Sequence, residues 1–210
     1  MSDKTIWYND KEIPETMYKA VTGQISGWSQ LEHSNHFNSL NQCFQECKEA
    51  KTILDLGCGA AEVSRVFSNY DYAGADLEHI IKNVAEKKNP NKNYIIFDIN
   101  LDDCAFLKKY DIVLMNSFLS EIPDYFRALN KVLLNSKKYI IVHRQEIQEM
   151  PSKLEEYVSY AGLTTTKTII NKKEFKNICS MNNFNIILDI PSTPINNNMR
   201  SFVLERQKND

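Results

Sequence analysis

Two aspartates, Asp55 and Asp76, stand 21 residues apart, and Gly57-Cys58-Gly59 follows the first of them. Glycine has no Cβ, so such a turn lets a ligand come close to the backbone. A helix starting just after the turn adds unpaired N–H groups. Asp55 places a carboxylate beside that turn, where a cation would be welcome. An acidic residue at the distance of Asp76 accepts hydrogen bonds from ribose hydroxyls in nucleoside-binding α/β folds. An aspartate there would also serve as an ordinary helix N-cap. A phosphate cradle needs Lys and Ser or Thr after the glycines, and Ala60, Ala61 and Glu62 stand there instead. Glu62 also fills the last glycine position of the dinucleotide fingerprint. The ligand left by these exclusions is a nucleoside carrying an ammonium and no pyrophosphate. Asp55 then lies near the amine, with Gly57, Cys58 and Gly59 as cradle and Asp76 with Leu77 beside the ribose.

A second set of residues suits proton handling and anion binding. His143-Arg144 follows the apolar run 138–142, and Glu121 precedes Ile122-Pro123. Histidine has the intrinsic pKa to take a hydroxyl or amine proton near neutrality. His143, Glu121, His33 and His36 are the candidate bases, in that order. A structural role is the plain alternative for a lone histidine. Arg144 suits a phosphate or carboxylate on a substrate, with a surface ion pair as its alternative.

The elements that must position these residues follow from periodicity. Ile53, Leu54 and Leu56 form a short buried strand, and residues 60–67 read as helix. Residues 70–75 form a second strand ending in Asp76, residues 77–88 a helix, and Asn89-Pro90-Asn91 a break. Residues 94–97 are the third strand, closed by Asp98-Ile99. Residues 110–115 are the fourth and most apolar, as a central parallel strand requires. That strand opens into Asn116 and Ser117, at the carboxyl end where an open α/β sheet holds its ligand. A helix over 124–134 and a fifth strand over 138–142 follow. A helix over 150–162, an extended stretch over 164–170, a helix over 171–182 and strands over 184–190 and 201–205 complete the pattern. The last two strands have no helix between them and form an antiparallel pair. Alternating strands and helices give a mostly parallel sheet covered on both faces. Upstream, apolar positions between Trp28 and Ala50 fit an amphipathic helix.

The segment Asp55-Leu56-Gly57-Cys58-Gly59 resembles the first motif of class I S-adenosylmethionine (SAM)-dependent methyltransferases of the small-molecule type. The order of elements over residues 50–206 resembles the same family. The resemblance implies an α/β, Rossmann-like doubly wound seven-stranded sheet with the last strand antiparallel, plus an N-terminal helical cap. It also implies SAM as cofactor and S-adenosyl-L-homocysteine (SAH) as product. Asp98 would reach the adenine amine with Ile99 on the ring face, and Asn116 and Ser117 would also line the cofactor. Gly27-Trp28-Ser29 resembles an N-terminal step that closes over SAM, which places Trp28 in the cofactor set; a helix merely covering the sheet edge is the alternative. Glu121 stands where many members carry a histidine, so a carboxylate replaces a ready-made base.

The chain of 210 residues, with a net charge of −2 and scattered Lys and Arg, suits one domain and no tight nucleic-acid binding. No apolar run reaches membrane-spanning length, and the N-terminus lacks a signal-peptide core. Cys43, Cys47, Cys58, Cys104 and Cys179 fit neither a disulfide framework nor a zinc ribbon, which points to a reducing cytoplasm. The division expected is an arm and helical cap over 1–50 and a SAM-binding domain over 51–210. The function expected is methyl transfer to a hydroxyl or amine of a small polar acceptor, with a surface-polysaccharide or nucleotide-linked sugar as the leading candidate. Arg144, Tyr157 and Tyr160 are the substrate-side residues, although the tyrosines suit plain packing equally. No metal, nucleic-acid or membrane partner is expected, and oligomeric state leaves no signal. The rival readings are a SAM-binding regulatory module without turnover and another SAM-using transferase.

Overall fold

The computed structural model describes residues 12–25, 30–159 and 164–207. Among the described residues the first elements are helix α1, Glu12–Val21, a 3-10 turn, Leu31–His33, and helix α2, Phe37–Glu46. The single helix expected over 28–50 is therefore shorter. Ser34 turns its hydroxyl back onto the Leu31 carbonyl at 2.7 Å, and polar side chains that bond locally in this way compete with helix continuation. Strand β1, Thr52–Leu56, leads through the glycine turn to the short helix α3, Val63–Val66. Strand β2, Asp71–Asp76, precedes a helical stretch over 78–88 (α4), whose middle turn, Ile81–Ala85, is a π-helix. Strands β3, Asn93–Ile96, and β4, Ile112–Asn116, are followed by a 3-10 turn at Leu119–Glu121 and helix α5, Tyr125–Asn135. Asp124 caps α5 by accepting from the Arg127 amide.

Strand β5, Tyr139–Gln148, extends past its expected end at Val142, with a bulge between Val142 and Gln145 and Arg144 at φ 59°. Strands β6, Lys153–Val158, and β7, Thr164–Asn171, form an antiparallel hairpin. Helix α6, Lys172–Met181, capped by Asn171, leads to β8, Phe184–Pro191, and β9, Met199–Arg206. Of the helix expected over 150–162, residues 153–158 are thus a strand, and residues 160–162 lie outside the described residues. The β-branched run in β7 supplies a partner along the whole of β6, from Lys153↔Ile169 to Val158↔Thr164, and tertiary pairing overrides local helix preference.

Among the described residues the sheet has nine strands and runs β3-β2-β1-β4-β5, and β5 is then flanked by β9 along its first part and by β7 at its end. Strands β2, β1, β4 and β5 are parallel, whereas β9 is antiparallel to β5 and β8 to β9. The seven expected strands are present in the expected sense, and the β6–β7 hairpin is added to the extended end of β5. Alternation sorts the core onto two faces. Ile53, Ile112, Leu114 and Ile141 face α2, through Leu40 and Phe44. Leu54, Leu56, Val113 and Ile140 face α5 and α6, through Leu129, Leu133 and Phe175. A third cluster joins Ile13 and Val21 of α1 to Ile80 and Val84 of α4.

Candidate functional site

Strand order reverses between β2 and β4, on either side of β1, and a crevice beyond the carboxyl ends of the strands is expected at such a point. A cavity of about 790 Å³ lies there, lined by the glycine turn, the ends of β1, β2 and β4, Arg144 at the bulge of β5, the 3-10 turn after β4, and Tyr157 of β6. Asp55, Gly57, Cys58, Gly59, Asp76, Leu77, Asp98, Ile99, Asn116, Ser117, Glu121, Arg144 and Tyr157 all belong to its wall. Residues 51–159 bring these side chains together from loops far apart in sequence. Trp28 and Tyr160 lie outside the described residues.

The turn is built for close approach. Gly57 has φ 74°, and a Cβ there would stand 2.5 Å from the Phe118 ring. Gly59 donates its amide to Asp76 Oδ2 at 2.8 Å, while Leu77 donates to Asp76 Oδ1 at 2.8 Å. Asp76 therefore ties the turn to the end of β2; the N-cap of α4 is Leu77, and no side chain caps that helix, so the capping alternative for Asp76 is not realised. Asp55 is 2% exposed and accepts from the Tyr72 hydroxyl at 3.1 Å. Burial raises Asp55 to about 7, against the opposing Tyr72 hydrogen bond and with a smaller push from Asp76. Burial raises Asp76 to about 6, although the Gly59 and Leu77 amides pull it down. Two carboxylates held above their ordinary range would gain from a nearby cation. Asn116 Oδ1 and Glu62 Oε1 are buried without a hydrogen-bond partner and belong to the same wall. Orphaned acceptors of this kind call for a donor, and this set of acceptors fits an ammonium and ribose hydroxyls. Cys58 is buried, and burial pushes its thiol well up, so it packs rather than reacts.

The other end of the cavity corrects the order of the candidate bases. His143 is 0% exposed and is absent from the wall. Its Nε2 lies 3.0 Å from Nδ1 of His36, and its Nδ1 lies 2.7 Å from the Ser201 hydroxyl. His36 is the wall histidine, and His33 does not reach the wall. The reason is the bulge in β5, which keeps His143 in the core while Arg144, at positive φ, reaches the cavity. Burial, then the nearby Arg144 charge, lowers His36 to about 3. Burial, then His36 and Arg144, holds His143 well below the ordinary histidine range. Glu121 accepts from the Tyr157 hydroxyl at 2.7 Å.

Sequence reasoning passed over Met17, Phe118 and Glu62 as wall residues. Phe118 follows the fourth strand, in the region already singled out. Glu62 was the residue that excluded a dinucleotide. Met17 carries no local signal, because only docking of α1 on α4 brings it to the cavity.

An open α/β sheet with a glycine turn and two buried carboxylates at its strand-order reversal defines a Rossmann-like domain with a built ligand crevice. The profile of the family described as "Methyltransferase domain" matches residues 28–188. The chain belongs to that family and is a SAM-dependent methyltransferase. No curated protein matches it. Among solved structures, it is similar to an amino pentose methyltransferase of calicheamicin biosynthesis from Micromonospora echinaspora, solved with SAM, at 11% identity and TM-score 0.63 over 83% of this chain and 92% of that one. The sugar N-methyltransferase KedS8 from Streptoalloteichus is 12% identical, with TM-score 0.61 over 81% and 86%. A magnesium protoporphyrin IX methyltransferase from Synechocystis, with SAM bound, is 12% identical, with TM-score 0.60 over 94% and 98%. At these identities the likeness is one of fold. Among the described residues no helix is long and apolar enough to cross a membrane.

Proposed function

We propose that the chain transfers the methyl group of SAM to a hydroxyl or amine of a small polar acceptor, with a sugar, free or nucleotide-linked, as the acceptor class. The observation that carries this reading is one cavity that holds the buried Asp55–Asp76 pair at one end and Glu121, Tyr157, Arg144 and His36 at the other. The amino pentose and sugar enzymes among the similar folds support the acceptor class.

SAM, when bound, supplies an already activated methyl group on a sulfonium. Asp55 and Asn116 take the ammonium, Asp76 and Leu77 the ribose edge, and Asp98 with Ile99 the adenine. The chain's remaining work is to align the nucleophile, exclude water and accept a proton. Glu121 is the wall carboxylate placed to take that proton, oriented by the Tyr157 hydroxyl on its Oε1. His143 does not reach the cavity and so is not the base. Residues 12–25 and 30–50 serve as a cap, with Met17 on the wall.

Calorimetric titration with SAM and SAH tests the cofactor half. Micromolar-range binding that weakens by about 1–3 kcal/mol in Asp76→Ala, the loss of a charged hydrogen-bond partner, is the expected result. No binding by the folded wild type to either ligand would sink the proposal. Amino and hydroxy sugars, free and nucleotide-linked, are then screened for SAH release.

A further inference from the structure

Five groups form a continuous hydrogen-bond chain behind the acceptor end of the cavity. The Arg144 amide donates to Ser192 Oγ at 3.2 Å, Ser192 Oγ lies 2.8 Å from Ser201 Oγ, and Ser201 Oγ lies 2.7 Å from His143 Nδ1. His143 Nε2 then meets His36 Nδ1 at 3.0 Å. Such a chain has a direction, because each short contact holds one hydrogen. A backbone amide can only donate. Ser192 therefore accepts from Arg144, and among the described residues Ser201 is the one acceptor in reach of its own buried hydrogen, so Ser192 donates to Ser201.

Ser201 has two ways to place its hydrogen, on His143 Nδ1 or on the nearby Cys43 thiol. An imidazole nitrogen is the stronger acceptor, and thiol sulfur is a weak one. With Ser201 donating to Nδ1, His143 carries its hydrogen on Nε2 and gives it to His36 Nδ1. The hydrogen of His36 is then on Nε2, the ring nitrogen left for the cavity. Neither ring needs a positive charge in this arrangement, in keeping with the burial of His143 and the lowering of His36.

We infer that the Arg144 amide sets the direction of this chain, so that His36 presents an N–H donor to the cavity, and that His36 and Arg144 together hold an anionic oxygen group, carboxylate or phosphate, on the methyl acceptor. His36 is then a positioning residue for the acceptor and not its base, and the proton falls to Glu121. The Arg144 guanidinium lies on the same wall, with Glu121 and Tyr157 as its electrostatic neighbours. A planar guanidinium beside a fixed N–H makes a donor corner matched to an oxyanion. The positive φ of Arg144 supports a functional reading, since a non-glycine residue there is strained and persists where the surroundings require it. This inference rests on the methyltransferase reading of the cavity.

The test uses the full chain with 15N-labelled histidine at neutral pH, with SAH added. The chain holds 4 histidines, and His36→Asn and His143→Asn identify the two of interest. Long-range 1H–15N correlation spectra are expected to show hydrogen on Nε2 and a bare Nδ1 in both rings. A hydrogen on Nδ1 of either ring, or a charged ring, overturns the chain direction. Inorganic phosphate and acetate are then titrated in turn. Saturable movement of the His36 signals is expected, with affinity weakened about ten- to hundredfold in Arg144→Gln, the size of one charged hydrogen bond. Tighter phosphate points to a phosphoester, and tighter acetate to a carboxylate. No response to either ion, or an unchanged affinity in Arg144→Gln, overturns the oxyanion corner. Arg144→Lys, which keeps charge and loses the planar fork, serves if the glutamine variant does not fold, and the wild-type tautomers need no variant. SAH calorimetry on the same sample separates the claims. Loss of SAH binding with the tautomers and ion response intact sinks the methyltransferase site alone, and the converse sinks this inference alone.

Discussion

Asp55 and Asp76 are held at about 7 and about 6 by burial, against ordinary aspartate values near 3.9. A carboxyl whose pKa is raised on folding binds more protons folded than unfolded, so stability falls as pH rises between the two values. The ligand-free chain is therefore expected to lose stability from about pH 4 towards pH 7 through these groups. His36 has the opposite sign. Lowered to about 3, it contributes stability that is present above its ordinary pKa and is lost as pH falls through its folded value. A bound sulfonium and ammonium favour the ionised carboxylates, so SAM should raise the melting temperature more at pH 8 than at pH 5. Melting curves with and without SAM check this, and equal shifts at both pH values would remove the carboxylate pair from cofactor binding. Glu121→Gln keeps shape and loses the proton acceptor. It should lower kcat by about 10²–10⁴, the usual worth of a general base, with SAM affinity unchanged by calorimetry. A fall in SAM affinity instead would place Glu121 at the cofactor end.

At the level of elements, two short segments control the geometry. The glycine turn is shaped by Phe118, which fills the space where a Gly57 Cβ would go. Gly57→Ala must both adopt φ 74° and displace that ring. It is expected to cost about 1–3 kcal/mol of stability and to weaken SAH binding, read by denaturant unfolding and calorimetry. An unchanged midpoint would show that the ring moves freely. The β6–β7 hairpin is the other segment, because it carries Tyr157 to Glu121 from an exposed edge strand. Thr168 Oγ1 donates to the Ile122 carbonyl at 3.0 Å and ties the hairpin to the loop that bears Glu121. Tyr157→Phe should cost about 0.5–1.5 kcal/mol of stability, the net worth of one hydrogen bond, and reduce turnover with the acceptor.

Across the whole molecule, the cavity is closed by pieces that the sheet alone does not hold. Helix α1 docks on α4 through Ile13, which is 0% exposed, and Val21. Ile13→Ala is expected to cost about 2–5 kcal/mol at its site. If α1 opens as a unit, hydrogen exchange over residues 12–25 will rise while β1 and β4 stay protected, and SAM affinity will fall. Protection unchanged in α1 would mean that Met17 is not held at the cavity by this contact. The π turn in α4 lies against α1, and such turns often mark functional sites.

Buried strands such as 53–56 and 112–115 were legible because they are apolar on both faces, and Asp55, Gly57, Gly59 and Asp76 because a turn at a strand end needs those residue types there. These features are local, and the sequence by itself determined the sheet, the glycine turn and the acidic pair. The hairpin was misread because the local helix preference of residues 153–158 is overridden by a partner lying 6 to 16 residues onward in the Cα register. The histidines were misordered because nothing local says that β5 bulges at 143–144 and sends one side chain inward and the next to the cavity. Burial, the pKa it imposes and the direction of a hydrogen-bond chain depend on what surrounds a group in space, and those were decided only by the tertiary structure.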